Sequence, residues 1–239
     1  MSYNVIHFKE IDSTNSYLKN TYKLLDNFTF ASADYQSKGK GRENRVWQSE
    51  PGENLMFSLL IKDKKLIEVS SYLSIYTAVI IAEVLEAYEV KGVSIKWPND
   101  VIINDKKVCG ILLEGQVPEY VVIGCGLNVN QKVFPDGLRR PATSVSLELN
   151  DDIALDEFKE IIFDKIDFDL NSGKHNRKHA DYLDYFRKHN YLLNKRVRVV
   201  INEQTFIGHV VGIDDDLCLQ ILTRDMLLHV DSGEIEIIG

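Results

Sequence analysis

The chain has 239 residues, of which 44% are hydrophobic, 27% charged and 10% aromatic, and its formal net charge is -8. Such proportions exclude a disordered or fibrous chain and suit one main folded domain of under about 200 residues with a small appendage. The acidic balance also disfavours a protein whose main partner is nucleic acid, because such proteins displace phosphate counterions with net positive charge.

Residues 3–8 alternate as a strand would, and Asp12, Ser13, Thr14 and Asn15 then offer N-caps for a helix carrying Leu18, Tyr22 and Leu25. A second strand is expected over 28–33 and a third over 55–61, separated by a polar Gly/Lys/Arg segment whose length is more often functional than accidental. From 66 to 89, Val69, Leu73, Tyr76, Ile80, Val84 and Tyr88 recur at spacings of three and four, which predicts one long helix with a broad apolar stripe packed on the sheet. Its most apolar part, 71–87, is interrupted by Tyr76, Thr77, Glu83 and Glu86 and reads as a core helix, not a membrane span. The start, Met1-Ser2-Tyr3-Asn4, lacks the basic and apolar run of an export signal, so a cytoplasmic location is expected.

Four short strands at 94–97, 101–103, 108–114 and 120–127, punctuated by Asn104-Asp105 and Pro118-Glu119, predict an antiparallel meander. An irregular stretch over 130–142, with Pro135, Gly137 and Pro141, precedes helices near 155–171 and 179–189. After Asn194 only strands are expected: Val197, Val199 and Ile201, then 206–213, 217–222, 226–230 and 235–238. The expected class is therefore α+β, a mixed and mainly antiparallel sheet with packed helices over 1–192 and a small β-barrel over 193–239. Cys109, Cys125 and Cys218 are odd in number and widely spaced, without C-x-x-C or His-rich company, and read as buried thiols in a reducing compartment.

The segment from Ser37 to Trp47 carries Lys38, Lys40, Arg42 and Arg45 on a loop containing Gly39 and Gly41. Glycines let backbone N–H groups approach an anion, and Arg offers planar bidentate donors, although a solvated basic loop has the same composition. It is neither a Walker A loop nor a dinucleotide fingerprint.

Four further segments accompany it in order: Ser13-Thr14-Asn15, Lys96-Trp97-Pro98-Asn99-Asp100, Lys107-Val108-Cys109-Gly110-Ile111-Leu112 and Gly124-Cys125-Gly126-Leu127-Asn128. Together they resemble the S-T-N segment, G-R-G-R-x-x-R-x-W loop, K-W-P-N-D motif, K-x-x-G-I-L strand and G-x-G-x-N turn of the biotin protein ligases, over roughly residues 3–239. That resemblance implies a synthetase-like catalytic domain followed by an SH3-like barrel, which agrees with the boundary read from strand patterning. It implies activation of biotin with ATP to biotinyl-5'-AMP, then transfer to a lysine of a biotin carboxyl carrier protein domain. Mg²⁺ would be held through the ATP phosphates, with the protein ligand open. A first strand at Tyr3 leaves no room for the DNA-binding domain of repressor relatives, so neither operator binding nor membrane contact is expected.

By resemblance, Arg42 and Lys107 would contact the biotin carboxylate and α-phosphate and Arg45 the phosphates, with Asp100 completing the catalytic set by positioning the acceptor lysine or a magnesium ion. Asp100 could equally be a structural cap. Biotin would be bound by Ser13, Thr14, Asn15, Gln36, Gly39, Lys40, Trp47, Lys107 and Gly110, and the adenylate by Arg42, Arg45, Trp47, Asn99 and Asn128. Helix capping is the other reading of Ser13 and Thr14, a hairpin lysine that of Lys107 and a core side chain that of Trp47. Lys40 and Lys38 depart from the family loop, where arginine and a small residue are usual; the charge at Lys40 survives without the bidentate fork. The acceptor is expected to dock along a sheet edge near 107–127, which could also serve a homodimer. The rival readings are a lipoate or octanoate transferase, whose R-R-x-S-G-G-G loop is not found, and a non-catalytic biotin-sensing regulator.

Overall fold

The computed structural model describes residues 3–171, 177–201 and 203–238. Its main sheet is built from β1 (Asn4–Ile11), β2 (Thr29–Gln36), β3 (Asn54–Ile61), β4 (Val93–Lys96), β5 (Asp100–Ile103), β6 (Lys106–Gln116) and β7 (Tyr120–Asn128), in the order β1-β2-β3-β7-β6-β5-β4. Only β1 and β2 run parallel, joined by a crossover through the helix α1 (Thr14–Thr21); the other neighbours are antiparallel. Asn104 and Asp105, with φ of 48° and 65°, make the two-residue turn between β5 and β6, a conformation these two residue types tolerate well.

Helices cover both faces. Leu18 of α1 packs with Ala31, Leu60, Tyr120 and Val122 on one face. The other face carries the larger core, including Phe30, Phe57, Ile95, Val101 and Ile111, under α3 (Leu73–Ala87), α5 (Leu155–Leu170) and α6 (His179–Lys188). Lying between the two layers, β3 is buried along its whole length, which is why it reads as a near-continuous apolar run.

The long helix expected over 66–89 is instead two helices. A short α2 (Lys64–Glu68), capped by the Asp63 carboxylate, ends at Val69 (φ -105°, ψ 23°), and a 3₁₀ turn at Ser70–Tyr72 leads into α3. Serines at 70 and 71 compete for backbone hydrogen bonds and favour such a break, which apolar spacing alone does not reveal. Nor does α3 carry one stripe: every residue from Leu73 to Ala82 is buried, as expected of a helix enclosed by sheet, α5 and α6. By length and composition Ser70–Ala87 would pass as a membrane span, but 61% of it lies buried inside the fold. In α1 the helix stops at Thr21, so Tyr22 falls in a 3₁₀ turn and Leu25 beyond it, although both still pack on the Leu18 cluster.

A short α4 (Val145–Leu149), capped by Ser144, follows the irregular stretch and, at five residues, is too short for apolar spacing to mark. The tail forms a five-stranded antiparallel sheet from β8 (Arg196–Ile201), β9 (Gln204–Ile213), β10 (Leu219–Leu222), β11 (Leu227–Val230) and β12 (Ile235–Ile237), in the order β11-β10-β9-β8-β12. Its inner residues, among them Val197, Val199, Val210 and Ile221, belong to the same buried cluster as the main core. Two bonds tie it to the Lys96-Trp97 corner: Trp97 Nε1 donates to the Leu217 carbonyl (2.9 Å) and Lys96 Nζ to that of Ile235 (3.0 Å).

Two further expectations change. Residues 107–127 are not a sheet edge: β7 lies between β3 and β6, and β6 is flanked by both β5 and β7 as far as Gly110. Only beyond Gly110 does β6 have β7 alone as a paired strand among the described residues. Cys109 and Cys125 are buried thiols, whereas Cys218 is half-buried.

Candidate active site

A cleft of about 570 Å³ opens between the main sheet, the 40–48 loop, the 134–142 segment and the β11–β12 turn. Its floor is made by glycines. Gly110 on β6 sits opposite Gly126 on β7, and Gly124 lies two residues away on the same face. A Cβ on Gly126 would lie 2.5 Å from Trp47 Cε2, one on Gly110 2.8 Å from Trp47 Cζ3, and one on Gly124 2.2 Å from Asn15 Oδ1. The G-x-G-x-N segment ends strand β7, where a strand is expected over 120–127, and its alternate glycines hollow the sheet to seat an indole and an amide.

Trp47 reaches this floor because its loop folds into a tight hairpin. Trp47 N–H donates to the Gly39 carbonyl (3.0 Å), Gly41 N–H to that of Arg45 (2.8 Å), and Lys40 pairs with Val46. Gly39 does not line the cleft. A Cβ there would come 2.6 Å from the Trp47 carbonyl oxygen, so its role is to let the hairpin close. Trp47 is half-buried, not a core tryptophan, and its Nε1 is buried without a hydrogen-bond partner among the described residues.

Polar groups gather at the α1 end. Ser13 caps α1, its Oγ accepting from Ser16 N–H. Gln36 Oε1 accepts from both the backbone N–H (2.7 Å) and hydroxyl (3.1 Å) of Thr14, which also meets Ser58 Oγ at 2.6 Å. Ser58 donates to Asn15 Oδ1, while Asn15 Nδ2 donates to Glu114 (2.9 Å), which pairs with Lys19. Burial pushes the Glu114 carboxyl up, but the bonds from Lys19 and Asn15 outweigh it and the net shift is downward, so it stays ionised.

Cations occupy the remainder. Lys107 Nζ lies 2.6 Å from Asp100 Oδ1 and 5.3 Å from the centre of the Trp47 ring. Arg42 meets only neutral oxygens among the described residues, Asn99 Oδ1 at 3.3 Å and the Gly233 carbonyl at 3.4 Å. Arg45 is paired with Glu43 and Glu234, and Arg139 with Glu234. Burial, reinforced by Arg140, pulls the Lys96 ammonium down to about 8.

The cleft therefore brings together Ser13, Thr14, Asn15, Gln36, Lys40, Arg42, Arg45, Trp47, Asn99, Asp100, Lys107, Gly110 and Asn128, leaving out Gly39 alone of the expected set. Both asparagines expected at the adenine hold backbone: Asn99 Nδ2 donates to the Ile111 carbonyl (2.6 Å) and Asn128 Nδ2 to that of Thr143 (3.0 Å). Sequence reasoning missed Lys96, Arg139, Arg140 and Glu234 as lining residues. Lys96 stands inside the K-W-P-N-D motif, and the adjacent arginines are visible in an acidic chain; Glu234 leaves no signal, because the fold brings it from the far end.

Residues 7–128 match the Biotin/lipoate A/B protein ligase family. The chain belongs to that family. It is 32% identical to the "Bifunctional ligase/repressor BirA" of Bacillus spizizenii, over 99% of this chain and 75% of the relative. It is 28% identical to the "Biotin--[acetyl-CoA-carboxylase] ligase" of Mycobacterium tuberculosis, over 85% of this chain and 76% of the relative. Among solved structures, the biotin protein ligase from Aquifex aeolicus in complex with biotin and ATP aligns with a TM-score of 0.79 at 28% identity, covering 98% of each chain.

Proposed function

We propose that the cleft activates biotin with ATP and transfers it to a lysine of a biotin carboxyl carrier domain. A free carboxylate acylates poorly because its leaving group would be oxide. One of its oxygens therefore attacks the α-phosphate, the bond to the bridging oxygen breaks, and pyrophosphate leaves with the electron pair. Carboxylate and triphosphate repel each other, so the chemistry needs fixed cations where negative charge concentrates. The observation that carries this reading is the junction of three features in one cleft: an indole wall over glycines, an amide and hydroxyl cluster beside it, and Lys107 with an Arg42 free of carboxylate partners among the described residues.

In this reading the fused rings of biotin lie against Trp47, with Ser13, Thr14, Asn15 and Gln36 meeting the ureido group and Lys40 and Gly110 completing the chamber. Arg42 and Lys107 take the carboxylate and α-phosphate. Arg45 turns from Glu43 and Glu234 to the phosphates, while Asn99 and Asn128 shape the adenine side. Asp100 holds Lys107 until substrate competes for it, and its freed carboxylate then accepts a proton from the acceptor lysine, whose neutral amine attacks the anhydride and releases AMP. Mg²⁺ would arrive on the ATP phosphates, where it would offset their charge.

The boundary at 192/193 is our division of the chain into the catalytic part and the barrel. We place acceptor docking, and any homodimer contact, along the open side of β6 at residues 112–116, in the cytoplasm, without nucleic acid or membrane. The test is biotin-dependent exchange of pyrophosphate into ATP by the full chain. Exchange with biotin supports the proposal; exchange with lipoate or octanoate alone, or none, refutes it.

A further inference from the structure

Arg140 has no task in the reaction described above, yet it lines the cleft. The segment carrying it is stitched to the start of β6: Lys107 N–H donates to the Pro141 carbonyl (2.8 Å) and Thr143 N–H to the Lys107 carbonyl (3.0 Å). Its guanidinium rests 5.7 Å from the Tyr191 ring centre. One terminal nitrogen, Nη1, is buried with no hydrogen-bond partner among the described residues, and Arg140 forms no ion pair there, whereas Arg45 and Arg139 share the Glu234 carboxylate. A buried donor on a charged fork left without an acceptor is costly, and a bound anion is one way in which such a group is satisfied.

The position of Arg140 fixes which ligand. Lys107 stands over Trp47, Lys96 lines the same cleft with its ammonium bonded to the Ile235 carbonyl, and Arg140 acts on Lys96 more strongly than any other charge. Displacement at phosphorus puts the attacking and leaving oxygens roughly in line. With biotin at the Trp47 end and the α-phosphate at Arg42 and Lys107, Lys96 and Arg140 are cations of the same cleft that no carboxylate pairs among the described residues, and so can meet the leaving group. We propose that Arg140, with Lys96 beside it, forms the subsite that receives pyrophosphate when biotin is activated. A planar fork suits a diphosphate, since it holds two oxygens at once. The inference rests on the ligase reading.

The test is the reverse half-reaction, biotinyl-5'-AMP plus inorganic pyrophosphate giving ATP and biotin, run with the full chain and with Arg140→Ala and Arg140→Lys. Loss of a charged hydrogen bond should raise the KM for pyrophosphate roughly 10- to 150-fold in Arg140→Ala, with a much smaller change in the KM for biotin in the forward direction. Arg140→Lys should recover part of the loss, as a charge without the fork. A pyrophosphate KM within about twofold of the parent would overturn the subsite, as would parallel losses for pyrophosphate and biotin, which mark a merely structural arginine. No exchange by the unsubstituted chain is a separate outcome, seen before any variant is made, and it removes the ligase reading together with the subsite.

Discussion

Gly126→Ala tests the seat of the biotin chamber. The added methyl would stand 2.5 Å from Trp47 Cε2, 2.8 Å from Nε1 and 2.9 Å from Cδ2. Carbon atoms in good contact sit about 3.5–4.0 Å apart, so the indole must retreat by roughly 1 Å. It cannot do so alone, because the same ring fills the space above Gly110 and stands over the Lys107 ammonium. Overpacking of this kind costs about 1–3 kcal/mol, which corresponds to roughly 5- to 150-fold weaker biotin binding if the cost falls on the bound state. Titration calorimetry of biotin against the variant measures it. Gly41→Ala serves as control, since its Cβ would meet Arg45 Cβ at an ordinary 3.5 Å. A Gly126→Ala protein that binds biotin within about twofold of the parent, at an unchanged Tm, would show that Trp47 does not wall the chamber.

Arg42→Ala and Lys107→Ala should each slow adenylate formation by roughly 10²–10³, the usual loss for one preorganised donor, read as single-turnover biotinyl-5'-AMP production; a loss under about tenfold would contradict their roles. Burial, and then the charges of Arg140, Arg139 and Lys107 against the opposing one of Asp100, bring the Lys96 ammonium from an ordinary 10.5 down to about 8, and an anion beside it raises that value again. Pyrophosphate binding should therefore take up a proton above pH 8 and weaken as pH rises, by up to about tenfold per pH unit. Calorimetry at pH 9 in buffers of different ionisation heat should detect the proton in the parent and not in Lys96→Arg, whose guanidinium stays charged. Arg177 bridges both Glu83 oxygens (2.8 Å each) to Asp169 (2.7 Å) and stacks on Tyr182 at 4.1 Å. Removing one partner of such a buried group costs about 3–5 kcal/mol, so Arg177→Ala should lower Tm by about 6–20 °C in scanning fluorimetry; a fall under about 2 °C would contradict it.

Much of the architecture is written in local patterns. The barrel strands alternate in the sequence as they do in space, with Val197, Val199 and Ile235 pointing inward, and Asn104-Asp105 marks the β5–β6 turn by chemistry alone. Where a helix is enclosed, that logic fails: from Leu73 to Ala82 α3 has no exposed face to set its phase, and the break at Val69–Tyr72 hides within continuous apolar spacing. Edges are equally invisible, because β7 takes as its second neighbour the distant β3, which puts β7 inside the sheet although its other pairing is a local hairpin with β6.

The site divides in the same way. Trp47, Arg42 and Lys107 lie in motifs whose residue types suit an acid and an anion, and the fold brings them to one cleft. Arg140 and Glu234 acquire meaning only once the 134–142 segment and the β11–β12 turn meet over that cleft, a contact between residues almost a hundred positions apart. The alternate glycines 124 and 126 were readable as a pattern, but their purpose appears only when Trp47 and Asn15 occupy the hollows they leave.

The most direct measurement of the whole account is the intact mass of a biotin carboxyl carrier domain after incubation with the full chain, biotin, ATP and Mg²⁺. One biotinyl group should appear on a single lysine, and only when both biotin and ATP are present. An acceptor of unchanged mass, or one modified by lipoate or octanoate and not by biotin, would contradict the assignment of this cleft to biotin transfer.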